Sequence, residues 1–389
     1  MRIEFRNEFQ EYFNLNKTRI SKQSITISIG NSGCDLDSFI SSLVLGYVKG
    51  YLHVVNMKKE IFQAKGEMMW LCNIFKINID DLIFLEHAKI GDNDKKGAYL
   101  LLENERHYII TKEIKLALTD HNLPVPELQG YPIEIIIDHH KLENHIRKVK
   151  NICIDISVGS ATTLVSQYLA YNYLIKKRKS YHTKKNLKES TYNVAIIKFI
   201  STLLIIPIIV DTHFLKYRTS NLDRIEVKRL QKIGKLSTRK LKKIRKTIKL
   251  ARRNDHMHPT NIILQKDYKR YEHLGFIFGA SVVKYSFIDW IDRESKNSGF
   301  EGELISQIED FRVKMNLEFF IILCRLNKQR HAIILNFPYL EDLLKINNEE
   351  IESKTYKNIR YYKLPLKLSR KLFIPIVKKI LKKRNKNFV

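Results

Sequence analysis

Apolar positions along this chain follow two periods, and the switching between them predicts an α/β fold. Residues 24–30 alternate with period two and break at Gly30, as a strand does before a turn. Residues 39–48 then place Ile40, Leu43, Val44 and Tyr47 at helical spacing. Residues 52–55, 82–84, 116–119 and 133–137 are further strand candidates, with a helical pattern between the first two. The Ile-rich run 133–137 reads as a strand buried on both faces. Strands alternating with helices predict a doubly wound, mostly parallel sheet. Residues 160–174 predict another helix, and the apolar run 196–210 supplies more core. A second series follows, with strands at 319–323 and 332–335 and a basic helix from Ile374. A boundary near residue 250 divides the chain into domains 1–250 and 251–389, with no internal repeat.

Composition narrows the class. A 389-residue chain with 44% hydrophobic and 10% aromatic residues can fold two cored domains. Its four cysteines (Cys34, Cys72, Cys153 and Cys324) form no CxxC pair, which argues against a disulfide framework or zinc ribbon. The N-terminus has acidic residues and no long apolar stretch, so it is not a secretory signal. The longest apolar run is interrupted by Lys198 and Pro207, so no membrane span is expected and the predicted location is cytoplasmic. A net charge of +28 points to a polyanionic partner. Residues 176–188 read as an exposed basic insertion. Residues 235–253 hold ten Lys or Arg and no acid, yet Leu241, Ile244, Ile248 and Ala251 recur at helical spacing. That is an amphipathic helix whose basic face is either simply solvated or in contact with an anion.

Chemistry gathers where the apolar runs end. The first strand leads into Gly30-Asn31-Ser32-Gly33-Cys34-Asp35-Leu36-Asp37-Ser38. Residues 116–119 end in Asp120-His121-Asn122, residues 133–137 in Asp138-His139-His140, and residues 203–210 in Asp211-Thr212-His213. One such aspartate is often a helix cap. Four apolar runs, each followed at once by aspartate, are hard to attribute to capping. Open α/β sheets bind ligands at the carboxyl ends of their strands. Carboxylates mixed with imidazole suit Mg²⁺, Mn²⁺ or Co²⁺, and there are enough of them for two ions sharing a nucleophilic water.

These segments resemble the DHH phosphoesterase superfamily, and within it the branch containing family II inorganic pyrophosphatases, eukaryotic exopolyphosphatases and prune proteins. The four aspartate motifs come in that family's order, and Gly159-Ser160-Ala161-Thr162-Thr163 resembles its GS-x-T-T segment at a helix start. Lys266-Asp267-Tyr268-Lys269 and Ser369-Arg370-Lys371 resemble C-terminal segments that reach the substrate. The resemblance implies a DHH domain, a smaller C-terminal α/β domain with a mixed sheet, and an active site in the cleft between them. It implies that Asp35, Asp37, Asp120, His139 and Asp211 ligate two divalent cations, Mg²⁺ or Mn²⁺ with Co²⁺ as an option, Asp120 being shared. His140 would face the phosphate, with Asp120, His140 and Asp37 carrying catalysis. Lys269, Ser369, Arg370 and Lys371 would bind substrate oxygens.

Asn31 stands where the pyrophosphatases carry histidine, and asparagine there resembles the exopolyphosphatase pattern. The implied activity is release of orthophosphate from the end of inorganic polyphosphate by direct attack of a metal-activated water. The same chemistry also suits a pyrophosphatase, or a prune-like short-chain polyphosphatase or cyclic-nucleotide phosphodiesterase. A glycine-rich GGGH-type motif is absent from the sequence, which counts against nucleic acid as substrate. The reading from another class is a non-catalytic basic binding protein on a DHH scaffold. His256, His258 and His145 read as loop polarity, Trp70 and Trp290 as core, and Cys34 as packing. His213 reads as a site contact or a helix cap, and His121 as a group ordering its neighbours.

Overall fold

The computed structural model describes residues 6–87, 98–103, 105–109, 112–142, 149, 151–170, 194–326, 329–344, 351–365 and 368–385. The stretch 176–188 and His145 lie outside them. The chain forms two compact units, residues 1–62 with 67–250 and residues 63–66 with 251–389.

The first unit is built on an eight-stranded sheet of order β5-β4-β3-β2-β1-β6-β7-β8. Its strands are β1 (Ser24–Ile29), β2 (Leu52–Val55), β3 (Ile83–His87), β4 (Ala98–Leu102), β5 (Glu105–Tyr108), β6 (Glu113–Thr119), β7 (Ile133–Asp138) and β8 (Asn151–Ile154). The six strands from β3 to β8 in that order pair in parallel, and β4 and β5 add an antiparallel edge. The connection after β1 runs one way to β2, whereas β6 lies on the other side, so the strand order reverses beside β1. Such a reversal opens a crevice at the strand carboxyl ends. Asn31, Asp120 and Asp138 all stand at those ends.

One face of this sheet packs against helices, through Val55, Phe84, Ala117, Ile135 and Ile137 on the strands. The other face uses Ile27, Ile29, Val54, Leu116, Leu118 and Ile136, covered by Ile20, Val125, Leu128 and Tyr131. The apolar run 203–210, grouped above with the strand ends, is the second half of a helix, Val194–Asp211. Leu203, Ile205, Ile206, Ile208 and Ile209 are all fully buried in it. A helix apolar on every side shows no amphipathic period, so pattern alone does not separate it from a buried strand. Among the described residues no helix is long and apolar enough to cross a membrane.

The second unit holds a six-stranded mixed sheet of order β13-β14-β12-β11-β10-β9. Its strands are β9 (Tyr268–His273), β10 (Phe276–Val283), β11 (Phe319–Leu326), β12 (Gln329–Leu335), β13 (Glu352–Tyr356) and β14 (Ile359–Lys363). Only β10 and β11 pair in parallel. Trp290, Ile308 and Phe311, from helices Phe287–Ser298 and Glu303–Lys314, cover one face. Phe373, Val377 and Leu381 cover the other. They belong to helix Arg370–Asn385, which begins at Arg370 rather than at Ile374 and carries Pro375 within it.

Candidate active site

Asp120, His139 and Asp37 converge at the carboxyl ends of β1, β6 and β7. Asp120 follows β6 with φ of +61°, a left-handed conformation that aspartate tolerates better than most residues. Its backbone N–H donates to the Ile137 carbonyl at 2.9 Å, tying the turn to β7. The carboxylate is 3% exposed. It accepts from the Asn31 amide through Oδ2 at 2.6 Å and faces His139 Nε2 through Oδ1 at 3.1 Å. Asn31 is oriented from behind, its Oδ1 accepting the Cys34 N–H at 3.1 Å. Asn31 therefore spends its amide donor on Asp120.

His139 lies beside both carboxylates. Its Nδ1 donates to the Val158 carbonyl at 3.2 Å, which turns Nε2 toward Asp120 and toward Asp37 Oδ2, 3.8 Å away. Burial opposes protonation of this imidazole, but the two carboxylates outweigh it and hold His139 up to about 10. Burial drives the Asp120 carboxyl well above its usual range, and the nearby charge of Asp37 adds to it. Burial likewise raises Asp37. Like charges brought together in a dry pocket resist ionisation unless a cation joins them.

Asp37 is built into the start of the neighbouring helix. It accepts from Ser160 Oγ at 2.6 Å, the Ala161 N–H at 2.7 Å and the Thr162 N–H at 2.9 Å. The unsatisfied amides of helix Ala161–Leu169 thus hold an anion supplied by the protein itself. Asp35, the other member of the motif, is exposed and caps helix Leu36–Lys49 by accepting the Ser38 N–H at 3.1 Å. The packing is tight here, since a Cβ on Gly30 would meet Ser38 Oγ at 2.4 Å.

The two histidines of the tripeptide are held differently. His140 is exposed, and its Nδ1 donates to Asp138 Oδ1 at 2.8 Å. Asp138 is fully buried and also accepts from the Asn122 amide at 2.6 Å and the His140 N–H at 3.1 Å. Burial alone would raise its carboxyl, but these donors win and hold it below its usual value. Asp138 thus fixes the ring of His140, and Asn122 fixes Asp138.

Asp211 closes helix Val194–Asp211 and is partly buried. An acid at a helix carboxyl end opposes the macrodipole at a cost of about 0.3–1 kcal/mol, so the helix itself gains nothing from it. The next residue, Thr212, backs the Asp37 anchor: a Cβ on Gly159 would lie 2.4 Å from Thr212 Cγ2 and 2.3 Å from the Arg218 carbonyl. Asp223 is the residue the sequence pattern missed. Fully buried, it accepts from the Gly159 N–H at 2.9 Å, Thr163 Oγ1 at 2.6 Å and the Ser220 N–H at 2.7 Å. The capping-box spacing of Ser220 and Asp223 was the available signal.

The other candidates fall as follows. His121 is half-buried and bonds the Thr119 carbonyl through Nδ1 at 2.9 Å. His213 is exposed and packs edge-on against Tyr217. His258 meets Asn254, Trp290 is buried with its indole N–H on Thr260, and Cys34 is buried. In the second unit, Lys269 is exposed on β9 and Lys371 is exposed near the start of the last helix. Arg370 is engaged: its guanidinium donates to the Asp267 carbonyl at 2.5 Å and the Asp267 carboxylate at 2.7 Å. Ser369 offers its carbonyl to the N–H groups of Leu372 and Phe373, both at 2.8 Å.

Asp120, His139 and His140 can each turn one ligand atom into a sphere where all lie within 4.8 Å of one another. Carboxylate oxygen with imidazole is the donor set of Mg²⁺ and Mn²⁺ sites, and a cation there would relieve the crowding that raises Asp120 and Asp37. The residues fit a divalent ion. A pH dependence follows. His139 is raised in the folded state, so its stabilising contribution is complete below its unfolded value of about 6.5 and is lost as pH rises toward 10. The raised carboxyls act in the same direction. Metal-free protein should therefore melt at lower temperature at pH 9 than at pH 6.5, by roughly a few degrees. Mn²⁺ should reverse this and release protons on binding, read by calorimetry in buffers of different ionisation enthalpy. Equal melting at both pH values would contradict this account.

A mostly parallel sheet gathers these aspartates and the Asp-His-His tripeptide at its carboxyl ends, the arrangement that the resemblance to DHH phosphoesterases implies. Residues 246–380 match the DHHA2 domain. A "Putative exopolyphosphatase" of Schizosaccharomyces pombe (strain 972 / ATCC 24843) is 28% identical over 311 residues, 76% of this chain and 72% of that protein. A crystal structure described as a Methanococcus jannaschii "putative family II inorganic pyrophosphatase" superposes with a TM-score of 0.57. It covers 92% of this chain and 98% of its own, at 17% identity, and shows the shared fold. The DHHA2 match and the similarity to a protein named as an exopolyphosphatase support a place in the exopolyphosphatase-like branch of the DHH superfamily.

Proposed function

We propose that the protein is a metal-dependent exopolyphosphatase that removes terminal orthophosphate from inorganic polyphosphate. The observation that carries this reading is the cluster of buried Asp120 and Asp37 around half-buried His139, in a chain similar over three quarters of its length to a protein named as an exopolyphosphatase. Asp120, His139, Asp37, Asp35 and Asp211 would hold two divalent cations, Mg²⁺ or Mn²⁺. Bound there, the cations would supply an acidified water and offset charge on the phosphoryl group.

The protein's own groups do the rest. Asn31 orients Asp120, and the amides of Ala161 and Thr162 keep Asp37 in place. His140, turned by Asp138, presents Nε2 to a phosphate oxygen, as a donor when protonated. Lys269, Ser369 and Lys371 contribute donors for the phosphate chain. Arg370 would have to share its fork with Asp267 to join them.

Incubating the protein with Mg²⁺ or Mn²⁺ and a panel of pyrophosphate, tripolyphosphate, long polyphosphate, cyclic AMP and a short oligonucleotide tests the reading. Orthophosphate is expected from long polyphosphate and tripolyphosphate. Release from pyrophosphate alone would make the protein a pyrophosphatase, and turnover of cyclic AMP alone a phosphodiesterase. No divalent-metal binding by calorimetry would favour a non-catalytic binding role.

A further inference from the structure

At one end of the second sheet, two arginines stand together with no ion pair to a carboxylate among the described residues. Arg325 on β11 and Arg330 on β12 are directly opposite in the antiparallel register, so their side chains stand on one face. By alternation it is the face of Leu323 and Ala332, which helix Arg370–Asn385 covers. Lys269, opposite Ala280, stands on that face as well. Arg330 is 6% exposed, and its Nε has no hydrogen-bond partner. Among the described residues no carboxylate bonds it. Burial, and then the charge of Arg325, make its protonated state harder to hold.

Other arginines of this unit are treated differently. Arg293 is paired with Glu294, Arg312 with Glu309, Arg370 with Asp267 and Arg384 with Asp342. A guanidinium withdrawn from water beside another guanidinium, without an anion, destabilises the fold. An anion from outside the chain would offset that cost. Guanidinium forks match the paired oxygens of a phosphate group.

We propose that Arg325 and Arg330 form a subsite for internal phosphates of a long polyphosphate chain, additional to the donors at Lys269 and residues 369–371. The inference rests on the polyphosphate reading above. β12 lies two strands from β10, about 10 Å across the sheet, which a two-phosphate ion is too short to bridge while also lying against β9 and β10. The pair would therefore bear on chain length.

The test uses the full chain, freed of metal with EDTA so that nothing turns over, titrated with long-chain polyphosphate and with tripolyphosphate. Wild type is compared with Arg325→Gln, an exposed position, and with Arg330→Met. Each substitution should weaken long-chain binding by roughly tenfold relative to tripolyphosphate, the scale of one charged hydrogen-bonding group. Arg330→Met should melt no lower than wild type, whereas an arginine with only a structural role would lower the melting temperature when removed. Unchanged long-chain affinity in both variants, or equal losses for the two ligands, overturns the proposal. Variant-sensitive binding in a protein that releases no phosphate with metal restored would keep the subsite and refute the hydrolase reading. Hydrolysis with variant-insensitive binding would do the reverse.

Discussion

Asp120→Asn should abolish phosphate release while leaving the metal-free protein as stable as wild type or more so. The asparagine keeps an oxygen for the Asn31 amide and fills the same volume, so packing is preserved. What disappears is a negative charge that is 3% exposed and repelled by Asp37. Relief of that repulsion, and of the burial cost of the charge, offsets the lost pairing with His139, and loss of the charge removes the main reason for a divalent cation to bind. Activity should fall by at least about a thousandfold, the scale set when a group required for transition-state charge is lost. The increase in melting temperature on adding Mn²⁺ should vanish with it. Residual activity within tenfold of wild type would show that Asp120 is not central. A large drop in metal-free stability would show that the pocket does not carry the electrostatic cost described here.

Asp223→Ala should have the opposite balance, with stability hit first and activity following through geometry. Its carboxylate gathers the Gly159 and Ser220 N–H groups and the Thr163 hydroxyl, all in a fully buried place. Alanine leaves those donors without an acceptor, at about 1–3 kcal/mol each before relaxation, so a loss of roughly 3–5 kcal/mol is expected. Gly159 and Thr163 bracket the residues whose amides hold Asp37, so the carboxylate next to His139 loses its fixed seat. Turnover measured well below the melting transition should fall by about ten- to a hundredfold, as displacement of a reacting group by a fraction of an ångström does. Asp223→Asn should recover part of both losses, because one amide oxygen still accepts. Activity that drops only in proportion to the unfolded fraction would reduce Asp223 to a structural role.

The sheet was legible because its strands are apolar runs bounded by turns and polar residues. β2 matches the expected bounds, and β6 and β7 contain theirs. Edge strands were not legible: β5 is Glu-Arg-His-Tyr and β9 is Tyr-Lys-Arg-Tyr-Glu-His, half exposed and too polar for a core pattern. The site was partly legible, since aspartates ending apolar runs are conspicuous when a ligand crevice needs them. What a motif does not reveal is the hydrogen-bond partner. That Asp37 faces three donors of the 160–162 turn and that Arg370 is clasped by Asp267 depend on contacts distant in sequence. Arg325 and Arg330 are unremarkable in a chain with 69 Lys and Arg, and only the register pairs them.

Asp211 differs mechanically from its companions because a helix delivers it. Asp120 and Asp138 hang from a hydrogen-bonded ladder that fixes their height along the sheet. The height of the helix is set instead by close packing of buried side chains such as Leu203, Ile205, Ile206, Ile208 and Ile209, and so answers to their volumes. One residue of slippage would carry its terminal carboxylate about 1.5 Å along the axis and 100° around it. On the proposed assignment of Asp211 as a cation ligand, changes in the girth of Ile205 or Ile208 would retune its spacing from the sheet-borne acids, and drift in that remote packing would be a route to a preference for cations of different size.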